Sequence, residues 1–155
     1  MRKLILLITH LLALGLGFAA GIYTLPILVA QPGPTTAEVD AATGLQRHQG
    51  EFRRDLADSD LLHWGEGLVS VTADHIGFTG RLAPGPDYRL YLSPRFIETE
   101  SAFEQARPEL ALIGEVRSFD NFLLPVPEGV DVEAYDTVIV WCERFGQFIS
   151  AAKYR

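Results

Sequence analysis

Between Lys3 and Glu38 the chain carries no acidic or basic side chain apart from a proton on His10, and from Leu4 to Ala30 it is almost continuously apolar. A run of that kind is most simply housed as one helix in lipid, because a helix satisfies every backbone N–H and C=O within the segment. At about 1.5 Å per residue the helix would reach about 40 Å, beyond the ~30 Å hydrocarbon layer. The rival is a cleaved signal peptide, whose apolar region is only about 7–15 residues long and ends at a small-x-small site. Ala19-Ala20-Gly21 supplies such a site, yet the apolar stretch continues through Ile27, Leu28 and Val29. The expectation is therefore an uncleaved signal anchor over residues 1–30.

Charge sets its direction. Arg2 and Lys3 flank the amino end, and the next basic residue is Arg47. The positive-inside bias then expects a single-pass protein of the inner membrane, with its carboxy-terminal part in the periplasm or outside. Ala13, Gly17 and Gly21 are four apart on one helix face, the spacing of a close-packed homodimer. Small residues are also common in membrane helices for no such reason.

The rest of the chain is acidic. Of 13 Lys and Arg, two precede the apolar run, against 20 Asp and Glu, so the remainder is more negative than the overall −7. Such a field does not draw DNA, RNA or an anionic lipid surface, and nucleic acid is excluded as a partner. Residues 31–50, with Pro32, Pro34 and Gly33, read as a linker holding a short helical piece around Ala37 to Leu45.

From residue 51 to 155 short apolar segments alternate with Gly, Pro and Asp, the pattern of an all-β sandwich or barrel-like domain. Strands are expected over Glu66–Thr72, His75–Thr79, Tyr88–Leu92, Leu110–Val116, Phe119–Val126, Thr137–Glu143 and Gly146–Tyr154, with one helix over Glu98–Ala106 stopped by Pro108. Pro84-Gly85-Pro86-Asp87 is a turn. Gly65, Gly67, Gly85 and Asp87 are read as serving the fold. Thr137–Glu143 is apolar on both faces, with Val138, Val140 and Cys142 on one side and Ile139 and Trp141 on the other, so it belongs in the middle of a sheet with both faces covered.

Cys142 is the single cysteine. A lone thiol carried to an oxidising compartment is inert and buried, shared with another molecule, or used chemically. Arg144, on the same face two residues on, brings a charge that favours the thiolate. Much else is excluded: there is no Gly-rich phosphate loop, no serine nucleophile elbow, no His-Glu-x-x-His helix, and no Cys-x-x-Cys pair. His10, His48, His63 and His75 are scattered, and Asp55, Asp58 and Asp60 read as a solvated turn.

Three stretches carry a resemblance: His63-Trp64-Gly65-Glu66-Gly67, Ala83-Pro84-Gly85-Pro86-Asp87-Tyr88-Arg89-Leu90-Tyr91-Leu92, and Tyr135 to Phe145 with Trp141-Cys142-Glu143 near its end. With these the chain resembles the DM-thirteen domain family, an all-β, DOMON-related module proposed to transfer electrons, and in particular its short bacterial, membrane-anchored members. The resemblance implies a redox role for Cys142, as a bare thiol or as a ligand to a group such as haem, with a redox or binding protein as partner. His63 is a candidate second ligand or proton donor, against the plainer reading of a loop histidine. Trp64 and Trp141 are candidate pocket walls, against the plainer reading of core. The competing function is a non-catalytic binding or interaction module in which Cys142 only packs.

Overall fold

The computed structural model describes residues 1–44 and 48–155; Leu45, where the expected helical piece ends, and Arg47, used above for orientation, lie outside the described residues. The basic pair and the uncharged run after it form α1 (Arg2–Val29), 28 residues long, with Pro26 in its last turn. By length and composition α1 suffices to cross a membrane, and none of its apolar window is buried.

The stretch expected as linker lies along the domain. The Gln31 N–H donates to the Arg117 carbonyl at 3.1 Å, and Asn121 Nδ2 donates to the Pro34 carbonyl at 3.0 Å. α2 (Thr36–Thr43) follows behind a reciprocal cap, in which Thr35 Oγ1 accepts from the Glu38 N–H and the Glu38 carboxylate accepts from the Thr35 N–H. Its buried residues are Val39 and Thr43.

Eight strands follow: β1 (His48–Phe52), β2 (Gly65–Val71), β3 (His75–Leu82), β4 (Tyr88–Ser93), β5 (Ala111–Val116), β6 (Phe122–Pro125), β7 (Thr137–Cys142) and β8 (Gln147–Lys153), with α3 (Glu100–Ala106) between β4 and β5. They form two four-stranded antiparallel sheets, ordered β1-β2-β3-β6 and β5-β4-β7-β8. Neither sheet closes on itself, so the architecture is a sandwich rather than a barrel. Phe52, Val69 and Phe78 of the first sheet meet Leu90, Val138, Val140 and Ile149 of the second between the layers.

Both sheets are covered on their outer faces as well. α2 lies on β3, where Gly77 leaves room for Val39 and Thr43 that a Cβ would occupy. α3 lies on the second sheet, where Phe103 stacks on Trp141 with centroids 3.9 Å apart and planes 8° from parallel. All six residues of β7 are buried between two neighbouring strands and two covered faces, as its two-sided apolar pattern requires. Cys142 points between the layers and Trp141 points out beneath α3.

β1 is the strand the apolar pattern does not announce. His48-Gln49-Gly50-Glu51-Phe52 has one large apolar side chain, and its Gly50 packs against the backbone of Lys153 in β8. The strand begins within the expected linker, so the domain recruits chain on both sides of residue 51.

Candidate functional site

Cys142 ends β7, opposite Tyr88 of β4 and Gln147 of β8. The chain then reverses through Glu143–Gly146, with Gly146 at φ +61°, a conformation that favours glycine. The backbone N–H groups of Phe145 and Arg144 in this reversal, and that of Asp87 in the neighbouring loop, favour the thiolate form of Cys142. Burial pushes the thiol pKa up, the three amides pull it down, and the Asp87 carboxylate adds to the upward push; the outcome is a raised pKa. At neutral pH Cys142 is therefore a protonated thiol with a ready-made set of donors for the anion it would form. The Arg144 side chain is exposed, so it is the amide of this residue, rather than its charge, that favours the thiolate.

Only 2% of Cys142 is exposed, yet the residue lines a cavity of ≈ 330 Å³. Leu62, His63, Tyr88, Phe145, Gln147 and Ile149 line it from the domain, together with Pro84, Gly85 and Pro86. The remaining wall is α1, through Ala19, Ile22 and Tyr23. The Tyr88 ring stands where a side chain on Gly85 would go, and its hydroxyl donates to the Ala83 carbonyl at 2.7 Å, so the Pro-Gly-Pro turn wraps the ring. Burial raises the Tyr88 pKa and keeps that phenol neutral.

The structure thus brings His63 and Cys142, distant in sequence, to one cavity. Asp60 orders the histidine: its Oδ1 accepts the Leu62 and His63 amides at 2.7 and 2.8 Å, and its Oδ2 lies 3.0 Å from His63 Nδ1. Burial opposes ionisation of Asp60, but the His63 ring and these amides outweigh it, and its pKa is lowered. An ionised carboxylate only accepts, so Nδ1 is the donor in this pair and Nε2 is the ring nitrogen left for the cavity. The acidic cluster accordingly does more than solvate a turn, and the Asp60-to-His63 spacing of three was the visible signal for it. Asp58 likewise caps α3, accepting the Glu100 amide at 2.7 Å.

Neither tryptophan lines the cavity. The Arg54 guanidinium lies 3.4 Å over the Trp64 ring, while Trp141 lies in the core beneath α3 with its indole N–H buried and without a hydrogen-bond partner among the described residues. His48 pairs with Glu133 at 2.7 Å, far along the chain from His63. Among the described residues no three His, Cys, Asp or Glu side chains gather as a metal site.

Haem, which the resemblance implies, fits this site in chemistry but not in space. A cysteine with amide donors and a histidine in one cavity is a suitable axial set. The volume, however, lies at the low end of the roughly 300–1,000 Å³ of small-molecule sites. Ala19, Ile22 and Tyr23 of α1 bound that space on one side.

Comparison with known proteins gives one family match. The family described as electron transfer DM13 matches residues 56–154, which run from just before β2 to the end of β8. No curated protein and no solved structure matches the chain.

Proposed function

The chain belongs to the electron transfer DM13 family, and from that premise we propose that it is a membrane-anchored, extracytoplasmic redox module whose working group is the Cys142 thiol. The observation that carries this reading is the position of the sulfur in the wall of a cavity that the His63 ring also lines. The three amides stabilise the negative sulfur once the proton leaves, and the free Nε2 of His63 is the base available in the same cavity. The redox step is thiol–disulfide exchange: the Cys142 thiolate attacks a sulfur of a partner's disulfide, forming a mixed disulfide while the partner's other sulfur leaves as a thiolate, and attack by a second thiol reverses it. The 28-residue α1, whose only charged residues are Arg2 and Lys3 at its amino end, supports anchoring with the domain outside.

One specific observation favours the second reading, a binding module with a packing cysteine: the residue is 2% exposed and its pKa is raised. The two readings separate in one experiment. The full chain is equilibrated across a series of glutathione redox potentials and Cys142 is followed by mass spectrometry. A glutathione adduct that forms at Cys142 in the folded chain, reverses on reduction and is missing in Cys142→Ser is the expected result. If only the unfolded chain takes up glutathione, Cys142 is a packing residue.

A further inference from the structure

The wall that α1 supplies to the cavity fixes the cavity's height in a bilayer. We infer that the Cys142 cavity takes its ligand out of the membrane, as a lipid-soluble ring compound of the quinone class entering between Tyr23 and the loops carrying Leu62 and Phe145. This rests on the anchored, cysteine-based reading above.

Depth comes first. Leu4 is the first residue past the basic pair, and ~30 Å of hydrocarbon takes about 20 helical residues, which ends at Tyr23. Tyr23 is one of three α1 residues on the cavity, with Ala19 and Ile22. The cavity therefore lies at the outer edge of the hydrocarbon, and Tyr23 at the headgroup level where aromatic side chains of membrane helices collect. The domain is held down there. Pro26 and Val29 line a second, smaller cavity together with Pro86 and Asp87, and the Gln31 N–H donates to the Arg117 carbonyl.

The rim agrees with that depth. Leu62 is 53% exposed and Phe145 51%, both lining the cavity, and the neighbouring Leu61 is 92% exposed. Large apolar side chains gathered at one opening are at odds with water, but at home in the headgroup–acyl boundary. The lining then selects the ligand. It is mostly carbon, with the Cys142 thiol, the His63 ring, the Gln147 amide and the Tyr23 and Tyr88 phenols as side-chain polar groups, the Tyr88 hydroxyl being committed to the Ala83 carbonyl. A peptide or sugar would leave its own polar groups unpaired there. A single substituted ring with one or two carbonyl oxygens would not, and its tail can stay in lipid. Among such rings the quinones are the ones that carry electrons, which is the business of this family.

The test uses the full chain in phosphatidylcholine nanodiscs. Cys142 is alkylated by a maleimide with a long alkyl tail or by a sulfonated, membrane-excluded maleimide. The tailed reagent is expected to react faster by about tenfold or more, relative to the two reagents' rates on the unfolded chain, because its chain concentrates it in the bilayer. Decylubiquinone, whose ring carbons are all substituted so that it does not alkylate thiols, is expected to slow that reaction severalfold. Leu62→Glu and Phe145→Glu, both at exposed positions, are each expected to weaken this protection while circular dichroism stays unchanged. Equal rates for the two reagents with no protection overturn the inference but leave the thiol reading standing, since glutathione still reaches Cys142. Equal protection by decanol would make the occupant an acyl chain and overturn the ring. No alkylation of the folded chain by either reagent defeats both readings together.

Discussion

At the scale of single residues, the site is a set of opposed influences on one sulfur. Burial and Asp87 hold the proton on Cys142, and three amides wait for its departure. The sign of the linked stability effect follows. A raised folded pKa means that the unfolded thiol, near its usual value of about 8.5, ionises first. The contribution is therefore complete at neutral pH and is lost as pH climbs through that unfolded value towards the folded one. Tyr88 and Tyr154, both raised mainly by burial, extend the decline above pH 10 or so. Urea midpoints measured from pH 7 to 11 should fall at the alkaline end, and Cys142→Ser should flatten the first part of the fall. A midpoint that rises with pH would contradict the burial of these groups.

At the scale of elements, the strands were the readable part. Their side chains alternate against a core, and β7, apolar on both faces, announced its central place and the direction of Cys142. Two elements hid for stated reasons. β1 is mostly polar and holds its place by backbone pairing with β2 and by the small Gly50, neither of which leaves an apolar pattern. α2 was visible as a helix, but nothing in its sequence said that Gly77 on β3 would receive it. The meeting of His63 with Cys142 was also illegible, because it depends on how two loops fold over the end of the sandwich. What sequence did show, without its use being recognised, was Asp60 three residues before His63. The docking of α2 gives a prediction at this scale. Thr35→Ala removes the reciprocal cap and should cost about 1 kcal/mol of stability by chemical denaturation. An unchanged midpoint would mean that α2 is held by Val39 and Thr43 alone.

At the scale of the whole molecule, the cavity is made by two parts that are separate in sequence, an apolar helix long enough to cross a membrane and a β domain. Its size against α1 predicts the spectrum. The full chain made in a haem-replete host should show no Soret band, whereas a band present in the full chain and lost in Cys142→Ser would reinstate haem as the ligand. The docked stretch from Gln31 onward has a wider consequence. A flexible linker of about twenty residues would let a domain wander over roughly 25 Å. Here the bonds from Gln31 to Arg117 and from Asn121 to Pro34 hold the first part of that length against the domain. With α1 in a bilayer, the molecule has almost no reach of its own and one fixed tilt. Meetings with other membrane-bound proteins would then be collisions within the plane of the bilayer, their frequency set by how densely those proteins populate that plane.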